Sequence, residues 1–227
     1  MKWFLLFCTI LLAYRQDKRP TMGSEEPASA PPAVTRMRVN PDTPARKQPV
    51  EDNLIIPGER IGRIYLGMDD SLIAKLLGKP DSGNAAMGKA WMTWESGRDE
   101  HNNATQLEIF TTYSDNTMQK KTVQQIRTTS SKFRTPAGMG VYSSLADLHR
   151  EHGDLKKVAT YSTDSRPLSL YDDKAQGIAY EVVGAGTQEL CSAIIIYPKG
   201  KSIFTGYRLL YPELQEVPAP VKKNRKH

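Results

Sequence analysis

A short helix pattern occurs twice in this sequence, and strand-like segments follow each occurrence. The first pattern lies in residues 64–80 and the second in residues 140–154. In each, a polar residue suited to capping a helix precedes apolar residues at helical spacing. Gly78 and Gly153 then end the two patterns, because glycine readily adopts the left-handed conformation found just after a helix. We therefore expect two short, equivalent helices.

The apolar residues of these helices predict which side of each is buried. Those of the first helix follow the i, i+1, i+4, i+5 spacing of a single face: Leu72, Ile73, Leu76 and Leu77. The second helix, which opens on a serine, places three residues on one face: Leu145, Leu148 and His149. For the first helix the N-cap is Asp69 or Asp70. The pattern predicts that Leu76 and Leu148 occupy equivalent buried positions.

Three segments with strand character follow each helix. After the first helix they are residues 91–94, 107–111 and 123–128, and after the second they are residues 168–171, 178–183 and 193–197. Alternation of apolar and other residues within several of them is typical of half-buried antiparallel strands. The predicted fold class is α+β. Two tandem units, residues 53–132 and 133–211, would each pack a short helix on a three- to four-stranded antiparallel sheet. The alternative is one irregular α+β domain whose two helices are alike by chance.

One sequence segment in the first helix pattern resembles a motif of a known family. Residues 66–81 read Leu-Gly-Met, then the helix, then Leu-Gly-Lys-Pro-Asp, which resembles the helical opening of the SmpA/OmlA-type small envelope lipoproteins. Two such units in tandem are similar to the β-lactamase-inhibitor-protein fold. The resemblance covers roughly residues 58–206 and implies an exported, non-enzymatic protein that binds other proteins through a concave sheet. The chain lacks a lipobox and the inhibitors' cysteine pairs, so neither outer-membrane assembly nor β-lactamase inhibition is implied.

The two ends of the chain differ in composition from its body. Residues 1–14 contain an apolar run that would rise only about 18 Å as a helix, short of the roughly 30 Å hydrocarbon core. This predicts a signal peptide, with an uncleaved short anchor or a wrongly assigned start codon as alternatives, because basic residues follow the run. Residues 15–52 contain seven prolines and predict a disordered linker. Residues 212–227 predict a basic disordered tail.

Charge and cysteine content exclude several classes of protein. The formal charge is +6, but residues 53–211 carry 19 basic and 17 acidic side chains, so the body of the chain is nearly neutral. Nucleic-acid binding by the fold is therefore not predicted. The only cysteines, Cys8 and Cys191, exclude a disulfide scaffold. The overall composition excludes a coiled coil, a collagen and a polytopic membrane protein.

Residues 200–202 resemble part of a phosphate-binding loop, but two features of the sequence argue against one. Gly200, Lys201 and Ser202 follow a strand-like run, as in the P-loop, but position 195 holds isoleucine where that loop needs its first glycine. Residues 203–207 also read as a strand, so no helix N-terminus would face a phosphate. We predict a hairpin turn at this position and no nucleotide cofactor.

Other candidate chemical groups also favour structural interpretations. His149 and His152 predict a solvent-facing or helix-end pair, with a weak metal site as the alternative. Cys191 begins an apolar strand and has no adjacent base, which predicts a buried core cysteine. No catalytic, cofactor-binding or metal-binding residue is predicted.

Aromatic side chains are the remaining candidate for a functional surface. Six of them lie on predicted strands and would form a protein-contact face if they alternate onto an open side of the sheet: Trp91, Trp94, Phe110, Tyr113, Tyr180 and Tyr197. The competing interpretation places most of the aromatic side chains in the core.

These observations predict a non-catalytic bacterial envelope protein that is periplasmic or secreted, or tethered to the membrane through residues 1–14. Its expected partner is another envelope protein. One alternative is a hydrolase or transferase whose catalytic residues are dispersed in the sequence and meet in a cleft. A third interpretation is a cytoplasmic protein that uses residues 222–226 on nucleic acid or anionic lipid.

Export can be tested without knowing the partner. Residues 1–52 fused to a reporter enzyme that is active only outside the cytoplasm should give activity, because the apolar leader would direct the fusion across the membrane. The control is the same fusion without residues 1–14, which should be inactive. A silent fusion of residues 1–52 would contradict the envelope assignment.

Overall fold

A computed structural model of the chain describes residues 52–114, 118–163 and 166–218. The predicted leader, the linker up to residue 51 and the tail from residue 219 lie outside the described residues.

Helices are few in the described ranges. They are α1 (Asp70–Leu77), α2 (Leu145–His152) and α3 (Phe204–Leu210), with one 3₁₀ turn at Gly186–Gln188. Among these residues, no helix combines the length and apolar character needed to cross a membrane.

The strands of the described residues form two antiparallel sheets. A small sheet contains β1 (Ile55–Ile56), β2 (Arg60–Ile61) and β3 (Ile64–Tyr65). The first strands of the large sheet are β4 (Ser82–Ala86), β5 (Lys89–Arg98), β6 (Ala104–Tyr113) and β7 (Lys121–Thr128). The others are β8 (Lys156–Thr163), β9 (Arg166–Asp173), β10 (Ile178–Val183), β11 (Leu190–Ile196) and β12 (Gln215–Glu216).

In the part of the chain that the structure describes, the large sheet has nine strands in the order β12-β8-β9-β10-β11-β7-β6-β5-β4. Helix α1 precedes the meander β4–β7, and α2 precedes the meander β8–β11. The two meanders join where β7 pairs with β11, with Ile126 opposite Ile196 and Thr128 opposite Ile194. The predicted α+β class with antiparallel sheet is confirmed, and the short helices begin and end as predicted.

Capping explains why α1 and α2 begin and end where they do. The Asp69 carboxylate accepts a hydrogen bond from the Ser71 backbone N–H, and the Ser144 hydroxyl oxygen accepts one from the Asp147 N–H. Each side chain thus satisfies a backbone donor that the first turn of a helix leaves free. After each helix comes a glycine with positive φ, 76° at Gly78 and 56° at Gly153.

The predicted burial of Leu76 is wrong. Ile73 is the buried residue of α1, whereas Leu72 and Leu76 are 44% and 41% exposed. The residues at positions 72 and 76 form a different stripe of the helix from those at positions 73 and 77, and a two-turn helix buries only a narrow stripe against a sheet. In α2, by contrast, Leu148 is fully buried as predicted.

Both faces of the large sheet are covered. One face, here called the helix face, packs its isoleucines against α1, α2 and the small sheet. The other, here called the C-terminal face, is covered by Ile203, Tyr207 and Leu214 from the end of the chain, which pack on Tyr197 and its neighbours. Ile194 and Ile195 show the alternation, because the first belongs to the helix-face core and the second to the C-terminal-face core.

The end of the chain differs from its prediction in two places. Residues 203–207, predicted as a strand, belong largely to α3, because the chain leaves the sheet after β11 and packs back across it. Gly206 permits this close approach, since a Cβ atom there would lie 2.6 Å from the Phe110 ring. The tail predicted as disordered from residue 212 is ordered at its start, where Leu214 is buried and β12 pairs with β8.

Replacing buried and exposed leucines should separate the two helix positions. Leu148→Ala should lower the free energy of unfolding by about 2–5 kcal/mol, because it empties a fully buried site. Leu76→Ala should cost about 1 kcal/mol, because that side chain is 41% exposed and its truncation leaves no enclosed cavity. Urea denaturation measures both, with Arg150→Ala as an exposed control that should change stability by about 0.5 kcal/mol at most. Equal losses at Leu76 and Leu148 would contradict the difference in burial between the two side chains.

Candidate functional site

Most of the aromatic side chains that the sequence predicted as a contact face are buried. Trp91, Phe110, Tyr180 and Tyr197 are buried, and only Trp94 and Tyr113 are partly exposed. The sequence pattern showed that side chains alternate between the two faces of the sheet. It could not show that α3 covers the face that was expected to be open. The indole N–H of Trp91 donates to the Gly206 carbonyl oxygen of α3 at 3.0 Å. The competing interpretation, that most aromatic side chains are core, is confirmed for these four.

The C-terminal face carries a buried charged cluster that no sequence pattern predicted. The Arg127 guanidinium on β7 donates to both carboxylate oxygens of Glu181 on β10, each at 2.7 Å, and to Glu108 on β6. The Tyr207 hydroxyl of α3 also donates to Glu181 at 2.7 Å, and the Tyr161 hydroxyl of β8 lies 2.8 Å from that of Tyr207. These five residues, here called the arginine network, join α3 to four strands of the sheet.

A small residue makes the arginine network possible. Strand β11 lies between β7 and β10, and Ala193 stands directly opposite Glu181 in the β10–β11 register. Directly opposite residues point to the same face. The short Ala193 side chain therefore leaves space above β11 through which Arg127 reaches Glu181. Only the pairing of β7 with β11 brings these residues together, so no local sequence motif could reveal the network.

The electrostatics of the network keep Arg127 charged and the Tyr161 and Tyr207 hydroxyls neutral. Burial alone would lower the pKa of Arg127, but Glu181 and then Glu108 outweigh it and raise that pKa well above its usual value. Burial also raises the pKa of the Tyr161 and Tyr207 hydroxyls, with the Glu181 charge adding to the effect. Both hydroxyls stay protonated near neutral pH, which suits hydrogen bonding rather than nucleophilic attack.

A cleft of about 510 Å³ opens beside the network on the C-terminal face. Here called the central cleft, it is lined at its floor by Arg127 and Glu181 and at its sides by Tyr142, Leu190 and Tyr211, among others. Burial raises the pKa of Tyr211 to about 12, so this hydroxyl is neutral as well. Leu190 is 39% exposed although it is a large apolar side chain. The cleft thus combines a satisfied polar floor with apolar and aromatic sides.

Tyr142 is held at the side of this cleft in an unusual backbone conformation. Its φ is 73°, in the left-handed region that a bulky residue rarely occupies. The Tyr142 backbone N–H donates to the Cys191 carbonyl oxygen at 2.8 Å, its hydroxyl donates to the Asp99 carboxylate, and that hydroxyl also accepts from the Asn103 amide at 2.7 Å. Contacts at both ends therefore fix this ring in place despite the backbone strain.

The histidine pair separates into two environments. His149 is exposed and packs edge-on against Tyr171, with ring centroids 5.7 Å apart. Both histidines lie in the last turn of α2, as the helix-end form of the prediction expects, but the His152 side chain is only 5% exposed and is therefore not solvent-facing. Its Nδ1 lies 3.0 Å from the Asp173 carboxylate and its Nε2 lies 2.7 Å from the Tyr180 hydroxyl.

This arrangement of Asp173, His152 and Tyr180 attaches the end of α2 to the sheet. Tyr180 is fully buried, and burial raises the pKa of its hydroxyl, so neither substrate access nor ionisation is favoured. Within the described ranges, no group of three or more His, Cys, Asp or Glu side chains is placed to hold a metal ion.

Two further sequence candidates are placed by the structure. Cys191 is fully buried and unpaired, and burial raises the pKa of its thiol, so the predicted core cysteine is confirmed. A helix does follow Gly200, Lys201 and Ser202, contrary to the prediction of a strand. Position 195 is nevertheless a buried isoleucine within β11, so the glycine of a phosphate-binding loop has no counterpart there.

Comparisons with known proteins give two similar structures. No family model matches the sequence, and no curated protein matches it either. Among solved structures, a DUF4309 family protein, YjgB, from Bacillus subtilis is 14% identical with a TM-score of 0.36, and the match covers 63% of this chain and 88% of that one. The uncharacterized protein yfeY from Escherichia coli is 13% identical with a TM-score of 0.34, and the match covers 63% of this chain and 98% of that one.

Asp172 should make the stability depend on pH. Burial raises the pKa of its carboxyl from 3.8 to about 6, although the hydrogen bond from the Tyr197 hydroxyl opposes the shift. A raised pKa in the folded state means that the stabilisation is complete below about pH 4 and is lost as the pH rises through about 6. Between pH 4 and pH 7 this group should therefore cost the folded state about 2 kcal/mol.

The measurement compares the parent chain with Asp172→Asn, which keeps an acceptor for Tyr197 but cannot ionise. Urea denaturation across pH 4–7 should show that the variant loses less stability than the parent as the pH rises. Asp154→Asn, at a highly exposed carboxylate, is the matched control and should follow the parent. Parallel profiles for the parent and Asp172→Asn would contradict the raised pKa.

Proposed function

We propose that this chain is a non-catalytic, exported envelope protein that binds another protein through the central cleft. The observation that carries the proposal is the composition of the cleft, which is lined by Tyr142, Tyr211 and Leu190 together with Arg127. Tyrosine and arginine are enriched among the residues that dominate protein–protein binding energy. The exposed Leu190 side chain supplies an apolar contact that a partner would bury.

The bonding within the cleft favours binding over chemistry. Arg127 and Glu181 already satisfy each other, and the neighbouring hydroxyls of Tyr207 and Tyr211 have raised pKa values. A partner that seats an apolar side chain against Leu190 would not need to break this network. Asn103 and Gln106 at the edge of the cleft offer amide groups for hydrogen bonds with the partner backbone.

We also propose that the fold consists of two tandem units of one type. Each proposed unit is an eight-residue helix followed by a four-stranded meander, α1 with β4–β7 and α2 with β8–β11. The strand order supports this division. On one side of the β7–β11 pairing the strands follow as β10, β9 and β8, and on the other side as β6, β5 and β4, so the last strand of each meander lies at the centre and the first lies furthest out. Such a pair is what the resemblance to the SmpA/OmlA-type proteins and the β-lactamase-inhibitor-protein fold implies.

The same resemblance supports the choice of the central cleft. It implies that the contact surface is the concave sheet, and in this chain α3 occupies part of the face opposite the two helices. The central cleft is an open recess on that same face, beside Tyr211 at the end of α3. The leader and the proline-rich linker predicted from the sequence support the proposed location, in which the fold is secreted or held near a membrane.

Site-specific photo-crosslinking can test the binding surface. A photoreactive amino acid at position 190, in the full chain produced in bacteria that export it, should yield a covalent adduct with one partner protein. Position 76 is the matched control, because Leu76 on α1 is 41% exposed and Leu190 is 39% exposed. The adduct should form at position 190 and not at position 76.

A second variant separates specific binding from chance proximity. With the photoreactive residue moved to position 106, Leu190→Arg should abolish the adduct, because a charge would replace the apolar contact in the cleft. Leu76→Arg should leave that adduct unchanged. Equal adducts at positions 76 and 190, or no adduct at 190, would contradict the proposed surface.

A further inference from the structure

The two edges of the large sheet are built differently. At one edge, β12 covers part of β8, a register shift interrupts β8 between Lys157 and Ala159, and Pro218 follows β12. Short strands, lysines, irregular register and proline are the usual means by which proteins keep sheet edges from pairing with other chains. This edge is therefore protected.

The opposite edge, β4, has none of these protections within its five residues. It reads Ser-Gly-Asn-Ala-Ala, with no charge and no proline, and every residue in it is exposed. Among the described residues, β4 pairs with β5 and with no other strand. Its outer side thus presents backbone groups and small side chains to the surroundings, an arrangement that favours the addition of another strand.

The β4–β5 turn identifies which backbone groups point outward. Met87 and Gly88 form a two-residue loop with φ of 50° and 80°, the positive values of a type I′ hairpin. In such a hairpin the flanking pair, Ala86 and Lys89, exchanges backbone hydrogen bonds, and bonded and non-bonded pairs alternate from there. The N–H and C=O groups of Gly83 and Ala85 therefore point away from β5.

We propose that β4 pairs antiparallel with β4 of a second copy of this chain, about a two-fold axis at Asn84. Gly83 of each copy then lies opposite Ala85 of the other, so the four outward N–H groups donate to the four outward C=O groups. Asn84 faces its own counterpart as a non-hydrogen-bonded pair, the closer of the two antiparallel pair types. This interface is separate from the central cleft and does not depend on the function proposed for it.

The chemistry of this edge favours a second copy over an unrelated partner. An uncharged strand can meet itself without repulsion between like charges, whereas charge complementarity with another protein has no basis here. An asparagine amide both donates and accepts, so two copies of Asn84 can bond to each other. Leu209 of α3 lines a groove with Asn84 and is 49% exposed, so a second sheet edge would also cover apolar surface.

The mass of the full chain in solution gives the first test. Light scattering or sedimentation over a range of concentrations should show a reversible dimer of twice the 25.4 kDa chain mass. Ala85→Pro should weaken the dimer, because it removes an outward N–H without breaking a bond to β5. A monomer at every concentration, or a dimer unaffected by Ala85→Pro, would overturn the proposal.

A charge exchange at the two-fold axis gives the sharper test. Asn84→Lys and Asn84→Asp each place two like charges directly opposite, which should weaken self-association roughly tenfold or more. An equal mixture of the two variants should form the dimer again, because lysine then faces aspartate. The matched control is Gln215→Lys and Gln215→Asp, exposed on the opposite edge, which should dimerise like the parent.

Urea denaturation distinguishes a lost interface from a misfolded variant, since exposed Asn84 should tolerate either charge with little change in the stability of the monomer. Recovery of the dimer only in the Asn84 mixture would establish that residue 84 faces its own counterpart. A mixture that stays monomeric, or charged Asn84 variants that dimerise like the parent, would show that β4 is not the interface.

Discussion

The ion pair between Arg127 and Glu181 is the interaction on which the rest of the C-terminal face depends. Both side chains are almost completely buried, so each charge has lost its hydration and relies on the other for compensation. The pair connects the two meanders across β11, and the Tyr207 hydroxyl extends it to α3. Because an uncompensated buried charge is costly, this pair favours a single register between β7 and β11 and a single position for α3.

Features set by short stretches of sequence could be predicted, whereas features set by packing could not. The ends of α1 and α2 follow from Asp69, Ser144 and the two glycines, which act within one turn of chain. Strand β4 was missed, because Ser-Gly-Asn-Ala-Ala carries no large apolar side chain and therefore no alternation. Helix α3 was misread as a strand, because its aromatic and β-branched residues favour strands until the sheet beneath offers them burial.

The candidate site shows the same division. Tyrosines and a buried Cys191 could be expected from the sequence, but their grouping around Arg127 required the pairing of β7 with β11. His152 gives a similar lesson, because the sequence predicted a solvent-facing or helix-end histidine, whereas the side chain at this helix end bonds to Asp173 and Tyr180 on the neighbouring strands. The residue pattern of one helix cannot show which strand residues pack against the last turn of that helix.

The contact between Trp91 and Gly206 joins residues 115 positions apart. The segment that covers the C-terminal face is among the last parts of the fold to be synthesised. Trp91 and Phe110 on the strands beneath it stay uncovered until that segment has packed. Contacts between residues so distant in sequence close slowly, because the chain entropy is lost before the contact is gained. Until α3 arrives, the growing chain carries an apolar surface that favours association with chaperones or with other unfinished chains.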